Sequence, residues 1–493
     1  MGASEETKPQ AEQSLETPER VKTGSPVLDA ILDGGLLARR RYLLRGGPGL
    51  GKTTLGLTFL NAARDDEAAL FIGFQEPEAE LRANAYSVGI DTSRVRFLSL
   101  AATEEFFTES EAYDVFAASD VEQTPMINAV VEAVEAYRPQ RVFIDSLTQL
   151  RFVTADLAQF RKQVTALLRF LTERGATVVF TSESTTAVPD DDLQFIADGI
   201  IELEWASSSA TLAIKKFRGS GFRRGRHQYR VDEDGIRIFT QTVPPPQQLV
   251  DASPIQFATG NPSFDTMLHG GIEAGTVTLL TGPSGVGKST LAGMFAARAA
   301  HQGHRAAVYQ FEEELNGWLI RLRSLGVAID APYRSGHLRL EQVEPLRYFA
   351  EEFTRAVRER VEAEGLELVV IDSITGFTLA VGSEQEASRP LHALVKTLTR
   401  LGVAVVLINE NRAIVESAQI TESQVSYMAD NVIYLRYQES GAVLEKTIGV
   451  LKKRLSGFDS RQRRFEIARG GIYLSDLDEA PAVGGDGDDG RAN

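Results

Sequence analysis

The segments Gly46–Thr53 and Gly282–Ser289 both read G-x-x-x-x-G-K-[ST], with lysines at 52 and 288. Such a turn points backbone N–H groups at nucleotide phosphates, sends its lysine to the β/γ oxygens and offers its hydroxyl to Mg2+. The flanks agree with that chemistry. Apolar runs at Tyr42–Leu44 and Thr276–Leu280 precede the turns as buried strands would, and Leu55–Ala63 and Leu291–Ala300 follow with helical periodicity. Two sites for ATP with Mg2+ are expected.

Phosphoryl chemistry also needs a carboxylate that positions or deprotonates the nucleophile. Arg141–Ser146 and Leu368–Ser373 are apolar stretches ending in Asp145 and Asp372, each followed by serine. An acid at the carboxyl end of such a strand reaches the Mg2+ of a phosphate site, where Thr53 and Ser289 supply hydroxyls. Upstream, the second copy reads Gln310-Phe311-Glu312-Glu313-Glu314, whereas the first reads Gly73-Phe74-Gln75-Glu76-Pro77. Gln75 can orient a water but cannot take its proton, so the first site depends on Glu76 or turns over slowly. Glu312, with Glu313 beside it, has no such limit, and it counts among the acids available to the metal.

The repeat extends well beyond these motifs and sets the architecture. Thr23-Gly24-Ser25-Pro26-Val27-Leu28-Asp29 corresponds to Thr259-Gly260-Asn261-Pro262-Ser263-Phe264-Asp265, 236 residues on, and Lys216-Phe217-Arg218-Gly219-Ser220 to Lys452-Lys453-Arg454-Leu455-Ser456 at the same offset. Ala176–Glu183 pairs with Val403–Glu410 as another core strand. Strands alternate with helical stretches such as Ala158–Glu173 and Ala387–Arg400, which implies an α/β fold: two tandem P-loop domains, each a mostly parallel sheet covered on both faces. The boundaries read as a flexible tail over 1–18, a first domain over 19–243, a proline-rich linker over 244–250, a second domain over 251–475 and a short acidic tail over 476–493.

Composition narrows the function. The 493 residues carry 52 basic and 68 acidic side chains, a net charge of −16, which argues against a broad nucleic-acid surface or a polybasic membrane patch. Without cysteine there are no disulfides, thiolate metal sites or cysteine nucleophiles, and the six histidines form no ligand pattern. No apolar run is long enough to cross a bilayer, so a cytoplasmic location is expected. Lys216 with Arg218, and Lys452 with Arg454, lie two apart on probable strands and project from one face. Distant from the phosphate loops in sequence, they are placed to reach a nucleotide held by an adjacent subunit.

The order of these motifs over residues 20–475 resembles the KaiC family, double-domain ATPases of the RecA/DnaB superfamily. The resemblance implies RecA-like domains, a homo-hexamer of two stacked rings with ATP at subunit interfaces, hydrolysis in both rings and autophosphorylation in the second. Gly49, Leu50, Gly51, Lys52, Thr53, Thr54 and Ser87 match the family's first nucleotide site, and Lys216, Phe217, Arg218, Ser220, Phe222, Asp232 and Glu233 its neighbour-subunit side. In the second domain Ser284, Gly285, Val286, Gly287, Lys288, Ser289, Thr290, Lys446, Lys452, Lys453, Arg454, Ser456 and Phe458 correspond, Glu312 matches the proton acceptor, and Leu325 replaces an aromatic residue. The segment Ile420–Asp430 is similar to the family's phosphorylation segment: Ser426 stands at the serine acceptor, Tyr427 replaces a threonine acceptor, and Thr421 keeps a family hydroxyl.

Three readings stand at this point. One is an ATPase with a serine/threonine autokinase in its second domain, serving as a timing or signalling switch whose phosphorylation or nucleotide state a protein partner reads. Another is an ATPase that regulates a partner by conformation alone, which the departures at Tyr427 and Gln75 favour. The last is a RecA-like DNA-dependent motor, against which the acidic balance counts.

Overall fold

In a computed structural model the described residues are 18–100, 123–151, 157–182, 190–206, 209–246, 255–344, 347–381, 384–410, 427–440, 443–469 and 471–477. The chain forms two compact units, 1–240 and 241–493. Each carries a nine-stranded sheet. In the first unit the spatial order is Gly235–Phe239, Arg226–Asp232, Ser209–Phe217, Gly199–Ala206, Arg41–Gly46, Thr177–Ser182, Arg141–Asp145, Ala69–Gly73 and Val95–Ser99. The last six are parallel and the first three add antiparallel pairs. The second unit repeats this with Val277–Gly282 in the central position and Leu368–Asp372 two strands away.

The chemistry of the strands explains why the sheets are covered. Leu368–Asp372 and Ala69–Gly73 are buried along their whole length, as strands of a parallel sheet with helices on both faces must be. The helix Leu157–Glu173 meets one face with Phe160, Val164, Leu168 and Leu171, the i, i+4, i+8, i+11 stripe of an amphipathic helix. Each sheet thus has an apolar cluster on either side.

The repeated Thr-Gly-x-Pro-x-x-Asp motif is structural. Ser25 and Asn261 cap short helices that begin at Pro26 and Pro262. Asp29 Oδ1 accepts from the backbone N–H and hydroxyl of Thr23, both at 2.8 Å, and Asp265 does the same for Thr259 at 2.8 and 2.7 Å. Among the described residues no helix is long and apolar enough to cross a membrane.

Candidate functional site

Each phosphate loop leaves the central strand of its sheet and opens the helix Lys52–Asn61 or Lys288–His301. Gly51 and Gly287 sit at the N-caps with φ of 76° and 121°, a region that side-chain-bearing residues avoid. A Cβ at either would also meet Val231 or Ile467, which line the cavities. Lys52 Nζ donates to the carbonyls of Gly46 and Gly47 at 2.9 and 2.8 Å, and Lys288 Nζ to those of Gly282 and Pro283 at 2.8 and 2.7 Å. Both lysines curl over their own loops, arching above the space for phosphates. Burial pulls the Lys288 ammonium down, against the nearby carboxylates of Glu410, Asp372 and Glu312.

The two cavities are close in size, about 450 Å3 in the first unit and about 440 Å3 in the second. The first gathers Gly49–Thr54, Gln75, Glu76, Asn84 and Asp145. The second gathers Ser284, Gly285, Gly287–Thr290, Glu312, Glu313, Arg321, Asp372, Glu410 and Lys446. Thr53 Oγ1 donates to Asp145 Oδ2 at 2.6 Å, and the Ser289 hydroxyl bonds Asp372. A hydroxyl joined to a carboxylate, half-buried at Asp145 and buried at Asp372, beside a phosphate loop is what a Mg2+ site would ask of the protein, phosphate oxygens and waters supplying the rest. These residues fit the ion. Among the described residues no cluster of three or more His, Cys, Asp or Glu is arranged for a metal by itself.

The aspartates are anchored from opposite neighbours. Asp145 takes a 2.5 Å bond from Thr181, on the strand to one side. Asp372 is instead bonded by Gln310 Nε2 at 3.0 Å from the strand on the other side, where the first domain has Gly73 and hence no side chain. Burial pushes the Asp372 carboxyl up, and Glu312 and Glu313 add to this. A cation there would relieve that cost.

After each second strand the chain bonds back to the aspartate carbonyl, Phe74 N to Asp145 at 3.1 Å and Phe311 N to Asp372 at 2.7 Å. This turn holds residues 75–76 and 312–313 near the strand ends that carry Asp145 and Asp372. Ser373 Oγ donates to Glu312 Oε1 at 2.6 Å. In the first unit, with Gln75 at that place, Ser146 Oγ is buried without a partner among the described residues. Glu76 nevertheless faces the cavity. Burial, Asp145 and Glu80 push its carboxyl up, while a bond from Asn84 works the other way.

The basic strand ends lie elsewhere. Ser209–Phe217 runs antiparallel to Gly199–Ala206, pairing Phe217 with Gly199 and Lys216 with Ile200, and Gly199 pairs in turn with Tyr42. Lys216 and Arg218 are therefore at the Tyr42 end of the central strand, about 13 Å from Gly46 at ~3.3 Å per residue. They cannot reach the phosphates of their own chain. Lys452 and Arg454 occupy the matching end in the second unit, whereas Lys446, nearer the hairpin tip, lines the second cavity and approaches Gly285 O at 3.4 Å. Lys216 and Lys452 donate to the carbonyls of Gln194 and Ala429, and in both burial, then the neighbouring arginine, lowers the ammonium's proton affinity.

Several of the residues matched to the family's nucleotide sites use their side chains within their own unit. Lys453 is not presented to a neighbour: its side chain is 0% exposed and pairs with Glu273 at 2.8 Å, because residues alternate along the strand and Lys453 points inward where Lys452 and Arg454 point out. Phe217 is likewise core, against Tyr42, and Phe222 and Phe458 pack on apolar clusters. Ser220 accepts from Arg20 at 2.6 Å and Ser456 donates to Glu273 at 2.7 Å, so both hydroxyls are used within their own units. Asp232 and Glu233 are not on the Lys216 face either. They follow Val231 at the rim of their own chain's cavity, where a Cβ on Gly89 would press on the Glu233 carbonyl. Ser87 lies exposed at the end of the helix Glu78–Ser87, bonded to Asn84 O at 2.8 Å, while Val286 is buried in the core.

Ser426 and Thr421 lie outside the described residues. Tyr427 is 59% exposed and stacks on His392, ring centroids 6.2 Å apart, in a separate cavity of about 360 Å3 with Glu351 and Arg389. Gln310, Arg321 and Glu410 are cavity residues that sequence reasoning did not single out. The polar end of the strand Ala404–Glu410 was the available signal for Glu410.

A family sequence model described as "ATPase: KaiC" matches the chain twice, over residues 21–243 and 257–479. Proteins named "Circadian clock oscillator protein KaiC" are similar along nearly the whole length: that of Parathermosynechococcus lividus is 27% identical over 97% of this chain and 92% of its own, and that of Synechococcus elongatus 26% identical over 97% and 93%. With both P-loop cavities inside the matched regions, this chain belongs to the KaiC ATPase family.

Proposed function

We propose that this protein is a homo-hexameric, Mg2+-dependent ATPase whose second domain also transfers phosphate to a serine of its own kind, Ser426 being the acceptor, and that a protein partner reads the resulting state. The observation that carries this reading is the unequal base: Glu312 stands over the second cavity on a bond from Ser373, where the first cavity has Gln75. When bound, Mg2+ neutralises charge on the β- and γ-phosphates. Lys52 and Lys288 hold those phosphates, and Glu312 takes the proton of the attacking hydroxyl. Lys216, Arg218, Lys452 and Arg454, remote from their own phosphate loops, serve the nucleotide of the next protomer. This supports a ring with sites at its interfaces.

In the first domain Glu76 is the remaining carboxylate able to take a proton, and slow hydrolysis there serves assembly. The test is incubation of the full chain with Mg2+ and γ-labelled ATP. Label is expected in the wild type and absent in Ser426→Ala, with phosphate release retained in both. A second reading, regulation by conformation without self-phosphorylation, draws on Tyr427, which replaces the family threonine and stacks on His392. Phosphate release from a wild type that takes up no label would favour it.

A further inference from the structure

Glu312 and Glu313 both line the second cavity, and by residue type either could accept a proton. Their partners separate them. Glu312 takes its bond from the neutral hydroxyl of Ser373. Glu313 Oε2 lies 2.7 Å from Nη2 of Arg321, eight residues on, in the helix Leu315–Ser324. Arg321 also lines the cavity, and its Nε is buried without a hydrogen-bond partner among the described residues.

The first cavity has the same frame with different end groups. Glu76 occupies the place of Glu313, and eight residues on Asn84 occupies that of Arg321. Leu81 and Ala85 are buried as Trp318 and Leu322 are, so the two helices agree in rotation. Asn84 bonds Glu76 through a neutral amide. A guanidinium does more than an amide: it brings a full charge and clamps a carboxylate oxygen in a fixed geometry. The clamp is thus present where a second base stands next door and absent where Gln75 leaves Glu76 alone.

We propose that Arg321 is a positioning residue that keeps Glu313 out of the proton-accepting role, leaving Glu312 as the base of the second cavity. Asn84 leaves Glu76 free for that role in the first. This rests on the reading of Glu312 given above. In the step, the attacking oxygen loses its proton to Glu312 as it bonds to the γ-phosphorus, and the bond from that phosphorus to the β–γ bridging oxygen breaks, releasing ADP.

The test rebuilds the first cavity's set in the second. In the full chain carrying Glu76→Gln, phosphate release from ATP is compared among Glu312→Gln, Glu312→Gln with Arg321→Asn, and Glu312→Gln with Arg321→Lys. Glu312→Gln alone is expected to lose about 100-fold, the usual worth of a positioned base. Adding Arg321→Asn recovers about 10-fold of this, because Glu313 beside an amide becomes what Glu76 is beside Asn84. Arg321→Lys keeps the cation and recovers nothing. A double variant no faster than Glu312→Gln, yet still binding a fluorescent ATP analogue, overturns the role of Arg321 and leaves that of Glu312 standing. Full activity in Glu312→Gln overturns both. Loss of analogue binding on Arg321→Asn alone marks Arg321 as a nucleotide contact and also overturns the proposal.

Discussion

The hydroxyl of Ser373 donates to Oε1 of Glu312 at 2.6 Å, tying the candidate base to the residue that follows Asp372, the proposed Mg2+ ligand. Ser373→Ala removes that tether while leaving the phosphate loop intact. Second-domain turnover is expected to fall about 10-fold, against about 100-fold or more for Glu312→Gln. Steady-state phosphate release with the first domain silenced by Glu76→Gln checks both, and the affinity for a fluorescent ATP analogue should not change in Ser373→Ala.

A pH profile distinguishes the two sites. Burial and the nearby Asp145 hold the Glu76 carboxyl above its ordinary value. A base works only when ionised, so first-domain hydrolysis should fall as pH drops through that raised value. The fall should begin above the ordinary 4.5 of a glutamate carboxyl. With the second domain silenced by Glu312→Gln, an acid limb at or below the free value would contradict Glu76 as the base.

Lys453 and Glu273 form a buried ion pair where the first domain, 236 residues earlier, has Phe217 and Leu37 in its apolar core. Lys453→Phe alone strands a buried carboxylate and should cost about 3–5 kcal/mol, whereas Lys453→Phe with Glu273→Leu should be neutral or stabilising by about 1–4 kcal/mol. Burial works to raise the Glu273 carboxyl, but the bonds from Lys453 and Ser456 outweigh it and the carboxyl lies below its ordinary 4.5. A depressed carboxylate stabilises the fold above the unfolded value and loses this contribution as pH falls through the folded one. The double variant should therefore lose less stability than the wild type below about pH 4.5, which thermal melts against pH will read.

The basic strand ends make a prediction about assembly. Arg218→Ala protomers should bind ATP like the wild type yet hydrolyse it more slowly once assembled, since a cation supplied in trans is worth about 10^3- to 10^5-fold in related chemistry. Mixing Arg218→Ala with Lys52→Ala protomers should restore part of the first-domain rate, because each such interface of one orientation pairs an intact loop with an intact arginine. No recovery in rings shown by mass to be mixed would contradict action across the interface.

Much of the site was legible because duplication gave each motif a second copy at a fixed distance: the phosphate loops, the Asp145 and Asp372 strands, and the Gln75-for-Glu312 exchange all appear by alignment. Strand direction was not legible. Lys446 and Lys452 look equivalent in sequence, and only the antiparallel register of Asn431–Ser440 with Val443–Lys453 puts one at the phosphate end and the other at the far end. Nor could spacing alone reveal that Lys453 alternates inward onto Glu273, a partner 180 positions away. The Glu313–Arg321 clamp was hidden because an arginine on an amphipathic helix ordinarily reads as solvated surface.

Transfer of phosphate from the second cavity to this protein's own Ser426, with Glu312 as base, is the step on which the proposed function turns. Its most direct test is a mass-spectrometric phosphosite map of the full chain after incubation with Mg2+ and ATP, alongside Glu312→Gln. Phosphate at Ser426 in the wild type and none in Glu312→Gln is the predicted result. An unmodified Ile420–Asp430 segment in a wild type that has released phosphate, or equal modification in both proteins, would contradict it.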